Sequence, residues 1–224
     1  MNTPSLEPAS RRPLKSRDVA FFRTLAGSLV RAGVSPNAIS AASMVFGAAA
    51  GLTLAATAGV SSGEARFWWL ASAAFIQLRL AANLLDGLVA VEGRRGGPTG
   101  DIWNEAPDRV SDAATLIGAG FAAASSPILG FGAALMAFFV AYVRALGASA
   151  GAGQCFLGPQ AKPHRMALLT LACVLSAVWP AAAFGPRAFS FVTLALSVVI
   201  VGGAVTAIRR LAFIAGFLRA RGSG

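Results

Sequence analysis

The sequence predicts an all-α integral membrane protein with six transmembrane helices preceded by an interfacial amphipathic helix. Of its 224 residues, 56% are hydrophobic and only 12% are charged, and the mean hydropathy is +0.66. A soluble domain usually carries about a quarter charged residues. This composition therefore excludes a soluble enzyme, a disordered tail and a disulfide-rich secreted module. The two cysteines, Cys155 and Cys173, lack the spacing of a zinc site or a disulfide framework.

The chain divides into a basic polar tail at 1–17, a predicted amphipathic helix at 18–33 and a membrane domain at 34–224. An apolar stripe at helical spacing runs along the predicted helix and is formed by Phe21, Phe22, Leu25 and Leu29. Such a stripe is typical of a helix that lies in the membrane interface. The alternative is a water-exposed helix that packs on a loop.

Six stretches are long and apolar enough to cross a bilayer, which takes about 20 residues. They cover residues 37–60, 67–91, 104–125, 128–150, 166–184 and 189–208. None of them alternates between apolar and polar residues, so a β-barrel is not indicated.

The distribution of lysine and arginine predicts the orientation of the spans. With a cytoplasmic N-terminus, only Arg66 and Arg187 fall on the opposite side. We therefore expect a multi-pass protein of a bacterial inner membrane, with both termini and the two long loops in the cytoplasm. The net charge of +10 then indicates contact with anionic lipid, and no nucleic-acid partner is expected. A stripe of small residues on the first span permits a homodimer, and consists of Gly47, Ala48 and Gly51.

The acidic residues are concentrated where the second span ends and the third begins. Six of the nine lie between positions 86 and 112. Carboxylates at membrane depth are costly, and they usually pair with cations or bind ions. One interpretation is a ligand site. The other is a set of buried ion pairs with basic residues on the same helices, namely Arg79, Arg109 and Arg144.

On the second span, Arg79, Asn83 and Asp86 are spaced so that they share one helix face. Two small residues follow on the same side, Gly87 and Ala90. Small side chains beside a carboxylate let a bulky ligand approach the backbone, although they also let helices pack closely.

These residues resemble the signature of the CDP-alcohol phosphotransferases, D-x-x-D-G-x-x-A-R, then eight residues, then G-x-x-x-D-x-x-x-D. Here the segment from Asn83 to Val91 is followed by eight residues and then by Gly100, Asn104 and Asp108. The start of the first span at 35–37 (Ser-Pro-Asn) is also similar to that family. The resemblance implies a six-helix enzyme that transfers a phosphatidyl-type group from a CDP-linked lipid, such as CDP-diacylglycerol, to an alcohol acceptor and releases CMP.

Three positions depart from the signature. Asn83 and Asn104 occupy two of the four aspartate positions, and Val91 stands where the family has arginine. A second alignment makes Asp108 and Asp112 the last two aspartates and leaves Asn104 in the glycine position. We prefer the gap-free alignment because it retains Gly100.

The resemblance implies two Mg²⁺ or Mn²⁺ ions, which take oxygen ligands. The residues expected to hold them are Asn83, Asp86, Asn104, Asp108 and Asp112. Either Asp108 or Asp112 is expected to act as the general base. An acidic strip on the third span is expected to compensate for the two asparagines and consists of Asp101, Glu105, Asp108 and Asp112. Because Pro107 disrupts a continuous helix, we expect this helix to begin near Asn104, which could also be its N-cap.

Gly87, Ala90 and Gly100 are expected to contact the CDP-linked donor, and Arg94 to replace the arginine missing at 91. We expect the phosphate of an acceptor such as glycerol 3-phosphate or inositol phosphate to contact Arg144, Lys162 and Arg165. The alternative for these three is contact with lipid headgroups. Two other functions remain open: a non-catalytic relative that binds CDP-lipid, and a small ion or solute transporter.

Overall fold

The computed structural model describes residues 20–93, 99–179 and 190–222, and within these ranges the chain is helical with no strand. The predicted tail at 1–17 and Arg94 lie outside the described residues. The helices are α1 (Ala20–Arg31), α2 (Pro36–Ala56), α3 (Ser62–Glu92), α4 (Gly100–Gly120), α5 (Pro127–Ser149), α6 (Lys162–Val178) and α7 (Phe191–Gly222). A short 3-10 turn, Thr57–Gly59, follows α2.

Four of the described helices are long and apolar enough to cross a membrane, which indicates a multi-pass membrane protein. They are α2, α3, α5 and α7. The other two predicted spans correspond to α4, which carries five acidic or basic residues, and to α6, which is described over 17 residues. The six-span count therefore stays a prediction.

Local sequence signals explain where the first helices begin and end. Gly33, with φ of +77°, follows α1 in the left-handed conformation that glycine adopts most readily. The Ser35 side chain accepts a hydrogen bond from the backbone N–H of Ala38, and Pro36 occupies the first helical position of α2. Ser61 and Glu64 form a reciprocal capping box at the start of α3.

The apolar stripe of α1 packs against the end of α3. Phe22, Leu25 and Leu29 contact a cluster that includes Leu85 and Val89 of α3. Phe21 departs from this arrangement, since it is 66% exposed. The position of α1 in the membrane interface stays a prediction.

The expected start of the third span is wrong, because α4 begins at Gly100 and continues through Pro107. Thr99, and not Asn104, is the residue that precedes the first turn. Proline lacks the N–H that would bond to the carbonyl of Trp103. Trp103 lies in the first turn of α4 and is 39% exposed. Its backbone carbonyl, which loses the hydrogen bond from residue 107, can therefore accept one from water instead.

α2 packs between α3 and α4, and its contact with α4 is made through small residues. A Cβ atom added to Gly47 would overlap Ser111, and one added to Gly51 would overlap the backbone carbonyl of Ala114. In return, a Cβ on Gly118 would overlap Gly51. The small-residue face that the sequence left available for a homodimer is thus largely used within the chain.

Candidate active site

The site lies where α3 ends and α4 begins, and a buried ion pair sets the register of the two helices. Arg79 of α3 donates to Asp112 of α4 at 2.5 Å and to the Ser111 hydroxyl at 2.7 Å. Since only seven residues separate Glu92 from Gly100, the helices run in opposite directions. Residues one or two turns after Arg79 therefore lie level with residues one or two turns before Asp112. We call this end of the bundle the site end.

Asp86 is buried at this level and has no basic partner among the described residues. It is 5% exposed, and the Ser40 hydroxyl of α2 donates to one of its carboxylate oxygens at 2.7 Å. The other oxygen, Oδ1, is buried without a hydrogen-bond partner, as is the Nδ2 atom of Asn83. Asp108 and Lys162 are near enough to act on Asp86 electrostatically, so the predicted pair Asp86 and Asp108 is brought to one site.

Three carboxylates on one face of α4 are each paired with basic side chains from other elements. Glu105 accepts from Arg144 of α5 at 2.5 Å, and Asp108 accepts from Lys162 of α6. Asp112 accepts from Arg165 of α6 at 2.8 Å as well as from Arg79. These three acids thus form buried or half-buried ion pairs, as the second interpretation of the acidic cluster predicts. Among the described carboxylates of the site, Asp86 is the one without an ion pair.

Arg109 lies on α4 itself and contacts two members of this face. Its guanidinium is 3.5 Å from the Glu105 carboxylate and 3.8 Å from that of Asp108. The predicted acidic strip is therefore neutralised where it is described. The side chain of Asp101 lies outside the described residues.

The first turn of α6 brings two cations to the site end. Arg165 is 3% exposed and also donates to the backbone carbonyl of Gln160 at 3.0 Å. Lys162 precedes the predicted fifth span. Burial lowers the pKa of its ammonium, and the neighbouring Asp108 carboxylate acts in the opposite direction. His164, by contrast, is exposed and contacts the carbonyl of Pro159.

The predicted donor-contacting residues that the structure describes, Gly87, Ala90 and Gly100, lie at the same end, as do Val91 and the predicted metal ligand Asn104. Asn104 is exposed, and a Cβ on Gly100 would meet nothing within 4 Å. Gly87 and Ala90 are half-buried, and Val91 is 64% exposed. The roles of these residues stay predictions.

Buried polar atoms without a partner are concentrated at the site end. Of seven such atoms among the described residues, five belong to residues at or beside the site: Arg79, Asn83, Asp86, Gln160 and Arg165. Buried polar groups in folded proteins nearly always bond to protein, water or ligand. Water or a polar ligand can bond to such atoms.

Sequence reasoning missed three contributors to the site. Ser40 bonds to Asp86 from 46 residues away, and Ser111 orients Arg79. The backbone carbonyl of Gln160 holds Arg165. A serine in an apolar helix is too common a feature to have identified Ser40, and a backbone carbonyl leaves no sequence signal.

Among the described side chains, those of Asp86 and Asn83 are the ones that fit a divalent cation. No group of three or more acidic, histidine or cysteine side chains within the described ranges is arranged to hold a metal ion. The unpartnered oxygen of Asp86, beside the amide of Asn83, is nevertheless the kind of oxygen ligand that Mg²⁺ and Mn²⁺ prefer.

Comparison with known proteins gives a likeness of fold. No family model matches the chain, and no curated protein matches it. Among solved structures, the phosphatidylinositol phosphate synthase PgsA1 of Mycobacterium tuberculosis with CDP-DAG bound has a TM-score of 0.67 and 20% identity over 86% of this chain and 92% of its own. PgsA1 with manganese and citrate also gives 0.67 and 20% identity, over 86% and 88%, and the apo form 0.65 and 20%, over 85% and 94%.

These structures are similar to this chain over most of both lengths. The predicted resemblance to the CDP-alcohol phosphotransferases is confirmed at the level of the fold, since the structural neighbours are phosphatidylinositol phosphate synthases. The activity of this chain has to be argued from its own residues.

Proposed function

We propose that this protein is a membrane transferase of the CDP-alcohol phosphotransferase family. It moves a phosphatidyl-type group from a CDP-linked lipid to an alcohol and releases CMP. The observation that carries this proposal is that Asp86 and Asp108 lie at one end of two antiparallel helices, near enough to interact electrostatically. The chain shares its fold with PgsA1, which has been solved with CDP-DAG bound, and this likeness supports a CDP-linked lipid as donor.

The charge of the site end suits a diphosphate. Among the described side chains that are buried or half-buried there, four carboxylates lie with five basic side chains, which are Arg79, Arg109, Arg144, Lys162 and Arg165. The pairs therefore leave an excess of positive charge. Guanidinium groups bind phosphate oxygens by paired hydrogen bonds, and an ammonium binds them as a point charge.

In the proposed reaction, the acceptor hydroxyl attacks the lipid-linked phosphorus of the CDP-lipid. A new P–O bond forms, the P–O bond to CMP breaks, and the hydroxyl proton passes to a carboxylate. Asp108 suits this role because its side chain is 14% exposed. Asp112 is 2% exposed at its side chain, and both of its oxygens accept from arginine, so we assign it to positioning Arg79 and Arg165.

Asp86 is the carboxylate we assign to a divalent cation, with Asn83 beside it. PgsA1 was also crystallised with manganese, which supports a metal of this kind. When bound, a divalent cation neutralises the diphosphate and makes CMP a better leaving group. Asp86 and Asn83 would hold it through oxygen atoms. The buried Ser40 hydroxyl, which donates to the second oxygen of Asp86, fixes the orientation of that carboxylate.

The geometry favours the gap-free alignment of the signature. Asp108 acts on Asp86 electrostatically, whereas Asp112 is paired with Arg79, about 10 Å further along α3. We therefore assign Asp108 to the fourth signature position and Asn104 to the third. The asparagine lies in the exposed first part of α4, where its amide can reach the donor.

The orientation that we propose puts the site end in the cytoplasm of a bacterial inner membrane. The ends of α3 and α5 and the starts of α4 and α6 meet there, and they carry the paired cations of the site. Basic residues concentrate on the cytoplasmic side of membrane proteins. CDP-linked donors and small phosphorylated alcohols then reach the site from the same compartment.

We predict that Arg144→Ala weakens acceptor binding more than donor binding. Arg144 is at the outer part of the site and its partner Glu105 is 45% exposed, so the guanidinium can exchange this carboxylate for an acceptor phosphate. The KM for the phosphorylated acceptor should rise about tenfold or more, with little change in the KM for CDP-diacylglycerol. An unchanged acceptor KM would remove Arg144 from the acceptor site.

A second candidate is a non-catalytic relative that binds CDP-lipid. The asparagines at 83 and 104 and the pairing of Asp108 with Lys162 favour it, because each reduces the free negative charge available to metals.

The experiment that separates the two candidates uses purified chain in lipid nanodiscs with radiolabelled CDP-diacylglycerol and Mn²⁺. CMP release is measured against a panel of free and phosphorylated alcohols. Acceptor-dependent release supports the transferase. Donor binding without release for any acceptor supports the non-catalytic relative, and the absence of donor binding contradicts both.

A further inference from the structure

The carboxylates of α4 at the site, Glu105, Asp108 and Asp112, are all paired with basic side chains, which limits how many metal ions the site can bind. Asp112 is held by two arginines, and Glu105 lies between Arg144 and Arg109. The oxygens of these carboxylates are therefore engaged by cations of the chain itself. Among the described residues, Asp86 is the one carboxylate of the site without a basic partner.

Asp108 is the other aspartate that this chain has in the signature, and its cation is also supplied by the chain. The ammonium of Lys162 reaches it from the first residue of α6, 54 positions further along the sequence. Lys162 is 19% exposed at its side chain and also acts electrostatically on Asp86. The ammonium that is paired with Asp108 thus also acts, at longer range, on Asp86.

Two divalent cations would add four positive charges to a site whose described buried and half-buried side chains already include more basic groups than carboxylates. The asparagines at 83 and 104 remove two of the negative charges that the signature supplies. An ammonium, in contrast, is a compact charge with three donors. It can contact a carboxylate and a phosphate oxygen together, as a bridging metal ion does.

We propose that the Lys162 ammonium takes the place of one of the two divalent cations, so that the site binds a single divalent ion at Asp86. This inference rests on the proposed binding of a CDP-linked lipid. Lys162 is then a donor-binding residue that contacts the diphosphate from the Asp108 side. The metal and the lysine share the neutralisation that two ions would otherwise provide.

The test is the number of Mn²⁺ ions bound per chain. Full-length protein in nanodiscs is titrated with Mn²⁺ and followed by electron paramagnetic resonance, with and without CDP-diacylglycerol. We expect about one ion for the native chain and for Lys162→Arg. Lys162→Ala frees Asp108 and should raise the number to about two. Arg144→Ala is the matched control, because it removes a cation from Glu105 on the same face, and it should stay at about one.

Each result decides the proposal. Two ions or none on the native chain would overturn it, as would an unchanged number and affinity in Lys162→Ala. An equal increase in Arg144→Ala would also overturn it, since the effect would then reflect general charge. If Lys162→Ala does not fold, Lys162→Gln replaces it, and the native count still decides. CDP-diacylglycerol binding is measured in the same samples, and its absence would instead contradict the proposed function.

Discussion

Replacing Asp112 with alanine is expected to destabilise the folded protein by roughly 3–5 kcal/mol. Asp112 is 1% exposed and lies between Arg79, which is 0% exposed, and Arg165, which is 3% exposed. Without the carboxylate, two buried guanidinium groups lose their common anion and face each other across the gap. The loss of one partner from a buried ion pair is costly because the remaining charge stays desolvated.

The matched control is Glu105→Ala, on the same face of the same helix. Its pair with Arg144 has the same 2.5 Å separation as the pair of Asp112 with Arg79, but its side chain is 45% exposed. An exposed ion pair contributes at most about 1 kcal/mol. Thermal unfolding in detergent, read by the loss of the monodisperse chromatographic peak, should therefore show a much larger decrease for Asp112→Ala. Equal decreases would mean that the burial of Asp112 with its two arginines does not determine how much these ion pairs stabilise the protein.

The helices could be predicted from the sequence because their signals are local. Predicted spans at 37–60 and 128–150 correspond to Pro36–Ala56 and Pro127–Ser149, since apolar composition and proline at a helix start are visible in a short window. The same holds for α1, whose end depends on Gly33. The start of α4 is harder to predict, because proline usually ends or interrupts a helix. In α4 the turn before Pro107 is exposed, so the helix continues through the proline.

The partners within the site could not be predicted in the same way. Local spacing places Arg79 on the same helix face as Asn83 and Asp86, yet Arg79 pairs with Asp112 on α4. Lys162 pairs with Asp108 across 54 positions. Such contacts depend on which helices are neighbours and in what register, and both depend on packing between distant parts of the chain, such as that of Gly51 of α2 against Gly118 of α4. The motif identified the aspartates but not which of them are already neutralised.

The site contains two kinds of carboxylate: those paired with basic side chains of the chain, and Asp86, which is not. Asp112 has two buried basic partners, so its charge is balanced within the fold. Asp86 has one neutral donor, Ser40, and an oxygen with no partner. A buried charge without a counter-charge costs free energy. Proteins retain such groups where function requires them, as in ligand and catalytic sites.

Asp86→Asn is accordingly expected to separate activity from stability. The amide has the same shape but no charge, so the cation that we assign to Asp86 loses its anionic ligand. CMP release should decrease about 1,000-fold, which corresponds to several kcal/mol of transition-state stabilisation. Thermal stability should stay equal or increase, because an unbalanced buried charge has been removed. Asp112→Asn provides the contrast, since it should lower stability.

Ser40→Ala is the control for the orientation of Asp86. It removes the hydroxyl that donates to one carboxylate oxygen at 2.7 Å while the charge is retained. We expect a smaller decrease in CMP release, by about tenfold, with Mn²⁺ binding preserved but weakened. If Asp86→Asn instead kept native activity and lost thermal stability, Asp86 would be a structural residue. The cation would then have to be held elsewhere at the site end.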